Sequence, residues 1–244
     1  MVTNEPCVIR ARELQLASSR GPVYGPIDLD VPAGRLIGLV SPEGGGRTSL
    51  LLTLAGRMRF TAGTLTVLDR PLPRSTAYVQ GHSALANFAD IDAPDDGLTP
   101  RELFRERAGL LVPLWRRIPG WGDRSVQGPL EQVFADRTPP APDEQIWRLE
   151  ALDRTLLAIS LALLGRPHLL VVDDIDALHH PADQLVTWRA LQRLTSPDLT
   201  VVASAAAREL VPPEVEAIDP HGPLSVPARS ADTPLPPATP IEVL

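Results

Sequence analysis

Lysine is absent from this chain, since all 23 of its basic residues are arginine. A cation that contacts a bound anion must therefore be an arginine, or else the partial charge of backbone N–H groups. Cysteine is nearly absent as well. Cys7 stands alone, which excludes an internal disulfide and fits a reducing cytosol. The net charge of −7 disfavours broad binding to nucleic acid or to an anionic membrane.

Long apolar runs are missing too. The longest mainly apolar segment, residues 161–172, is interrupted by Gly-Arg-Pro-His at 165–168. A helix that spans a membrane needs about 20 apolar residues. No charged segment followed by an apolar one opens the chain, so no signal peptide is predicted. With 43% hydrophobic and 22% charged residues, the 244-residue chain is expected to contain a large globular domain. Any membrane association is expected to come through a partner.

A glycine-rich loop stands between an apolar strand and an apolar helix. It reads Ser-Pro-Glu-Gly-Gly-Gly-Arg-Thr-Ser over residues 41–49. Backbone N–H groups in such a loop converge on one point, and the helix dipole adds positive charge there, so the segment predicts a phosphate site. The usual pattern is G-x-x-x-x-G-K-[ST]. Ser41 replaces its first glycine and Arg47 replaces its lysine.

A second polar motif follows the apolar strand at 168–173, which ends in Asp173 and Asp174. Carboxylates at the carboxyl end of a buried parallel strand lie at the edge where open α/β sheets bind ligands. Together with the glycine loop, they predict Mg²⁺ binding by Thr48 and Asp173 and a water-positioning role for Asp174. The alternative is that these acids only cap the next helix.

Apolar periodicity predicts the remaining elements. Strands are expected at 7–16, 27–31, 36–40, 64–68, 77–79, 168–173 and 199–204, and helices at 50–58, 100–114, 146–164 and 181–194. Residues 82–150 are interpreted as a mostly helical insertion, in which Trp115 and Trp121 pack the lobe rather than anchor a membrane partner. The arginines at 101, 105, 116 and 117 are expected to form a solvated face. Residues 1–226 are read as one domain, and the Pro-rich segment 227–244 as a disordered tail.

The order and spacing of several further motifs resemble the ATP-binding subunit of ABC transporters over about residues 8–215. The matching segments are Val-Pro-Ala-Gly before the apolar strand (31–34), Leu-Thr-Leu-Ala-Gly (52–56), Ala-Gly-Thr-Leu (62–65), Tyr-Val-Gln (78–80), Leu-Thr-Pro-Arg-Glu-Leu (98–103) and Leu-Leu-Gly-Arg-Pro-His-Leu-Leu (163–170). The resemblance implies an α/β P-loop fold with a largely parallel central sheet, an N-terminal antiparallel β region and an inserted helical subdomain.

The resemblance also implies functional roles. ATP would be held by Ser41, Gly44, Gly45, Gly46, Arg47, Thr48 and Ser49. Mg²⁺ would be held by Thr48, Asp173 and Gln80, and the catalytic residues would be Asp174 and Gln80. The implied partners are a transmembrane permease subunit and a second nucleotide-binding subunit, in a homo- or heterodimer, but no nucleic acid. The implied location is the cytoplasmic face of the membrane.

Several positions depart from the family pattern. Leu-Glu-Ala-Leu-Asp at 149–153 replaces the L-S-G-G-Q signature, and Asp174 replaces the catalytic glutamate. His180 stands in place of the D-loop aspartate, and Ala205 stands in place of the switch histidine. Ser18 aligns with the adenine-stacking aromatic, and Tyr24 lies nearby but out of register. Because several catalytic parts are altered together, weak or partner-dependent hydrolysis is expected. A hydrolysis-deficient regulatory module and a nucleotide-free scaffold, in which the glycine loop is a turn that binds nothing, are the alternatives.

Overall fold

Two sheets form the body of the protein. The structure is a computed structural model that describes residues 6–42, 44–88, 91, 95–113, 115–135 and 137–220. The strands are β1 Cys7–Ser18, β2 Gly21–Pro32, β3 Leu36–Val40, β4 Ala62–Val67, β5 Arg70–Leu72, β6 Ser83–Ala86, β7 Leu169–Val172, β8 Thr200–Ala205 and β9 Glu216–Ile218. The helices are α1 Arg47–Leu54, α2 Thr76–His82, α3 Pro100–Leu111, α4 Arg124–Phe134, α5 Ala151–Leu163 and α6 Pro181–Leu194.

The central sheet is parallel throughout, with strand order β6-β7-β8-β3-β9. A second, antiparallel sheet has the order β2-β1-β4-β5. The predicted α/β P-loop fold, with a largely parallel sheet and an N-terminal antiparallel region, is confirmed. The parallel arrangement brings the carboxyl ends of β3, β6, β7 and β8 to one edge, where the candidate site lies.

Both faces of the central sheet are covered. Leu170 and Val172 of β7 pack with helices α3 to α6, whereas Leu169 and Val171 pack with α1 and the antiparallel sheet. This alternation follows from the two-residue period of a strand. It also explains why β7 consists only of apolar residues, since a strand buried on both faces has no solvent side.

Three expectations about elements are corrected. Residues 77–79 lie in helix α2, not in a strand, and Val79 is the only buried residue of that helix. The segment 83–86 is a strand of the central sheet, so the helical insertion begins after residue 88 rather than at 82. Helix α5 starts at Ala151, because a short 3₁₀ turn, Ile146–Arg148, precedes it.

The helical lobe contains α3 and α4. Helix α3 begins with a capping box, in which Thr99 accepts from the N–H of Glu102 and Glu102 accepts from the N–H of Thr99. Trp121 packs edge-to-face on Phe104 with ring centroids 5.5 Å apart, as expected. The matching expectation for Trp115 is wrong, because 86% of that residue is exposed. The tail predicted for 227–244 lies outside the described residues.

Candidate functional site

The predicted glycine loop connects β3 to α1, and its backbone geometry depends on Gly46. This residue has φ 73°, and a Cβ atom there would lie 2.3 Å from the carbonyl oxygen of Val23. Only glycine fits this position, because the left-handed region is already costly for other residues and the space is closed. Gly44 also has a positive φ, of 78°, but a Cβ there would meet open space. The first N–H groups of α1 are thus held beside the loop.

Ser41 begins the loop at the point where β3 leaves the sheet. Its N–H donates to the carbonyl of Ala205 at 3.2 Å, which joins the loop to the end of β8. The residue is buried, and its Oγ has no hydrogen-bond partner among the described residues. A buried hydroxyl without a partner is uncommon, because desolvation then goes uncompensated. It is an available polar contact inside the loop.

Arg47 occupies the position of the expected lysine, and its guanidinium faces three carboxylates. Nη2 donates to Oδ1 of Asp174 at 2.5 Å. Oδ1 of Asp173 lies 3.9 Å from Nε, and Oδ1 of Asp176 lies 3.5 Å from Nη1. The side chain is only 10% exposed. Arg47 therefore bridges the glycine loop to the acids that follow β7, and it balances their charge from within the protein.

Asp173 and Asp174 have different environments despite being neighbours. Asp173 is buried, and its Oδ1 accepts from Ser204 Oγ at 2.5 Å. The same hydroxyl accepts from the N–H of Asp174 at 2.9 Å. Asp174 has φ 54° and ψ 53°, a left-handed conformation, and its side chain is 45% exposed. Ser204 thus turns one acid inward, while the backbone turn directs the next one outward.

The structure places Gln80 away from the loop. It lies on α2, and its Nε2 donates to the carbonyl of Gly56 at 2.8 Å, beyond the carboxyl end of α1. The loop lies at the opposite end of that helix. Strand β6, and not residues 77–79, pairs with β7.

Asn87 lies directly after β6, the strand that pairs with β7. Its Nδ2 donates to the carbonyl of Asp173 at 2.8 Å. The sequence prediction missed this residue, as it missed Ser204 and Asp176. Each is a polar residue at or just beyond the carboxyl end of a buried strand, and that position was the available signal.

The other predicted residues are distributed as follows. Thr48 is exposed in the first turn of α1, and Ser49 follows it, half-buried. Gly45 donates its N–H to the carbonyl of Pro42 at 3.0 Å. Together with Ser41, Gly44, Gly46, Arg47, Asp173 and Asp174, these residues lie in or beside the loop, so the structure brings together every predicted site residue except Gln80.

Tyr24 is not available to stack on a base. It is buried, and its Oη donates to Thr53 Oγ1 at 2.7 Å. Burial raises the pKa of its phenol, and the hydrogen bond to Thr53 partly offsets this rise. Tyr24 therefore belongs to the core beneath the loop. Ser18, at the aligned position, is exposed.

The positions of the signature and the switch histidine carry different chemistry here. Glu150 is exposed immediately before α5, and Asp153 in the first turn pairs with Arg137 at 2.9 Å. Ala205 is fully buried at the end of β8. Its methyl group can neither donate nor accept a hydrogen bond. Among the described residues, no group of three or more His, Cys, Asp or Glu side chains is arranged to hold a metal ion.

A cleft of about 430 Å³ separates the helical lobe from the central sheet. Arg57 lies on one side of it, and Glu106, Arg107 and Leu110 of α3 lie on the other. Arg57 donates to Ser83 Oγ at 2.7 Å. Its pKa is lowered, chiefly by burial and secondarily by repulsion from Arg107. No helix among the described residues is both long and apolar enough to cross a membrane.

Comparison with known proteins relates this arrangement to transporter ATPases. "Nod factor export ATP-binding protein I" of Bradyrhizobium sp. (strain SNU001) is 26% identical over 182 residues, 74% of this chain and 56% of that protein. "Retinal-specific phospholipid-transporting ATPase ABCA4" of Bos taurus is 23% identical over 84% of this chain and 9% of that protein. The chain thus spans about half the length of the Nod factor proteins, and no protein-family model matches it.

Solved structures agree on the fold. CbiO1 from Clostridium perfringens, part of the ABC transporter complex cbiONQ, superposes with a TM-score of 0.69 at 15% identity, over 85% of this chain and 81% of that one. A putative ABC transporter ATP-binding protein from Pyrococcus furiosus superposes with a TM-score of 0.68 at 14% identity, over 87% of this chain and 97% of that one. The chain thus has the fold of ABC-type nucleotide-binding domains, and its sequence is similar to those of ABC transporter ATP-binding proteins.

Proposed function

We propose that this protein is the ATP-binding subunit of an ABC-type transporter, and that it binds MgATP with weak or partner-dependent hydrolysis. The observation that carries the proposal is the junction of the glycine loop with the acids that follow β7, which Arg47 bridges. Phosphate and a divalent cation would fit on the two sides of this junction. The relatives named above carry ATP-binding and transport in their names, and the proposal extends that role to this chain.

The donor set is suited to both ligands. The N–H groups of residues 44–49 and the guanidinium of Arg47 offer positive charge to phosphate oxygens. Thr48 and Asp173 offer oxygen atoms, which are the ligands Mg²⁺ prefers. When bound, the cation would neutralise phosphate charge and orient the nucleotide. Arg47 already donates to Asp174, so a bound phosphate would compete with this internal ion pair for the guanidinium.

Weak hydrolysis follows from the groups around this junction. Asp174 would have to accept a proton from water, yet its carboxylate is held by Arg47. Ala205 has no polar side-chain atom. Glu150, exposed at the signature position, would repel a polyphosphate at a dimer interface. A second nucleotide-binding subunit with intact groups would supply what this chain lacks, which favours a heterodimer.

The cleft between the lobe and the central sheet is the proposed contact with the permease. Its wall combines apolar side chains, among them Leu85, Leu98 and Leu103, with the charges of Arg57, Glu106 and Arg107. A cleft that combines apolar side chains with a few charged groups suits a short helical segment of a partner. Through that contact, the protein would lie on the cytoplasmic face of the membrane.

Equilibrium binding of ATP to the purified protein, with and without Mg²⁺, tests the proposal. Mg²⁺-dependent binding is expected in the wild type and in the surface control Thr138→Ala, and it should be lost in Thr48→Ala. Equal affinity in the two variants would show that the assigned site is wrong.

A nucleotide-free scaffold is the second candidate, and one observation favours it. The guanidinium of Arg47 already satisfies the acids that a cation would otherwise contact. In that case the protein should not bind ATP at millimolar concentration, and Arg47→Lys should not create ATP binding. If Arg47→Lys raises ATP affinity instead, the loop has kept its geometry and the scaffold is excluded.

A further inference from the structure

We propose that the protein has a second contact with its surroundings, in which the helical lobe docks on a bilayer surface that carries anionic lipid. The contact is made by Arg105, Trp115, Arg116, Arg117 and Ile118, here called the Trp115 surface. It stands apart from the proposed function, since it needs neither nucleotide nor permease.

The apolar part of this surface is unusually exposed. Trp115 is 86% exposed, and Ile118 39%. Isolated apolar side chains on a surface are ordinary, but two large ones in one short segment expose apolar area that water solvates poorly. Ile118 folds back over α3, since a Cβ at Gly109 would lie 3.4 Å from its Cδ1. The segment after α3 therefore rests on that helix.

The basic part lies beside it. Arg105, Arg116 and Arg117 are all exposed, and their side chains make no ion pair or hydrogen bond with any described residue. Most acids near this stretch are otherwise engaged or face elsewhere. Glu102 is held in the capping box, Asp143 pairs with Arg101, and Glu106 lines the cleft toward the central sheet. The surface is thus locally positive in a chain whose net charge is −7.

A shallow cleft of about 460 Å³ connects the two parts. Arg101, Arg105 and Arg117 line its edge, and Phe104 and Trp121 lie among its apolar lining. Arginines around an apolar hollow can contact a phosphate oxygen with the guanidinium and an alkyl or glycerol group with the aromatic rings. The phosphodiester of a lipid headgroup presents these chemistries together.

The shape of the patch favours a bilayer over a peptide. Trp115 protrudes into solvent, and a protruding side chain matches a deformable interface better than the pocket-filling contacts of a folded partner. Tryptophan is the residue enriched at membrane–water interfaces, and arginines near it are attracted to anionic headgroups. These two preferences coincide in the Trp115 surface.

Flotation of the full-length protein with vesicles tests this inference. Vesicles of phosphatidylcholine alone are compared with an equal mixture of phosphatidylcholine and phosphatidylglycerol, without nucleotide. The wild type is expected to float with the mixed vesicles and not with the neutral ones. Arg116→Glu with Arg117→Glu should weaken binding at least about tenfold, since each basic residue near an anionic surface contributes a several-fold factor. Arg59→Glu with Arg74→Glu, two exposed arginines outside the lobe, is the matched charge control.

Fluorescence locates the contact. Trp115 should shift to shorter wavelength on the mixed vesicles, and Trp115→Phe should abolish that shift. Trp147→Phe, which removes another exposed tryptophan, should leave it intact. Equal binding to both kinds of vesicle, or equal loss in both arginine pairs, would overturn the inference. So would a Trp115 shift caused by polyglutamate and not by vesicles, because an acidic protein segment would then be the occupant.

Discussion

At the scale of the residue, one side chain joins the glycine loop to the acids that follow β7. A lysine ends in one compact ammonium, whereas the guanidinium of Arg47 reaches three carboxylates at once, with distances of 2.5 to 3.9 Å. Because Arg47 and Asp173 are nearly buried, their charges are weakly screened by water. The arginine is therefore a structural crosslink in addition to any role in binding.

Arg47→Ala is expected to lower the free energy of unfolding by about 2 to 3 kcal/mol, since it leaves a buried carboxylate without its cation. Urea denaturation measures this. Arg12→Ala is the matched control, because it breaks an exposed pair with Asp30 and should cost less than about 1 kcal/mol. Adding Asp173→Asn to Arg47→Ala should recover part of the loss, because it removes the buried charge. If Arg47→Ala and Arg12→Ala lower the free energy of unfolding equally, Arg47 is not a buried crosslink.

Two glycines of the loop provide a second comparison. Gly46→Ala should destabilise the protein by more than about 3 kcal/mol, because the new Cβ would collide with the backbone of Val23. Gly44→Ala meets open space and should cost only about 1 kcal/mol for its left-handed conformation. Thermal unfolding of both variants shows whether Gly46→Ala is the more destabilising of the two. A smaller effect at Gly46 would mean that the loop relaxes away from β2.

The contacts of Arg47 lie beyond what sequence patterns predict. The strand before the loop and the strand before Asp173 were predicted correctly, because continuous apolar runs indicate buried strands. That Arg47 touches Asp174, 127 residues away, depends on the strand order of the sheet. Asn87 was missed for a local reason. Strand β6 reads Ser-Ala-Leu-Ala, without a β-branched or aromatic residue, so nothing in its composition marks a strand.

At the scale of elements, helix α3 begins on a capping box that the sequence motif Thr-Pro-Arg-Glu contains. The hydrogen bonds from Thr99 lower the pKa of Glu102. A carboxyl whose pKa falls on folding stabilises the folded state above its ordinary value of 4.5 and loses that contribution as the pH falls through the folded pKa. The start of the helical lobe therefore weakens in acid.

Thr99→Ala should lower the free energy of unfolding by about 1 kcal/mol at neutral pH, because the first turn of α3 loses its cap. The difference from the wild type should shrink below pH 4.5, as Glu102 becomes protonated. Circular dichroism during denaturation at two pH values measures both effects. Thr138→Ala, an exposed position without a cap, should change neither, and a pH-independent loss in Thr99→Ala would exclude the role of Glu102.

On the scale of the whole molecule, the central sheet separates two apolar clusters and belongs to both. Leu51 of α1 lies in one cluster and Leu156 of α5 in the other. The residues of β7 alternate between them. Losing either cluster would therefore expose a face of the same strands, which couples the antiparallel region and the helices into one cooperative unit.

Leu51→Ala and Leu156→Ala should each cost about 2 to 5 kcal/mol, because both side chains are fully buried. In each variant, unfolding followed by far-ultraviolet circular dichroism and by tryptophan fluorescence should give one coincident transition. Leu110→Ala, at an exposed position, is the control. Two separate transitions in either core variant would show that the clusters unfold independently.

The strand order also determines when during synthesis the glycine loop can be fixed in place. Among the described strands, β3 pairs only with β8 and β9, and the N–H of Gly34 in the turn before β3 donates to Thr200, 166 residues further along the chain. At about 5 to 20 residues per second, the ribosome needs roughly 10 to 30 s to make the intervening chain. The antiparallel sheet can form within the first 72 residues, at a stage when the partner strands of β3 have not yet been synthesised. Its apolar residues then stay exposed, and the glycine loop that follows β3 gains its place in the sheet only when β8 and β9 have been made.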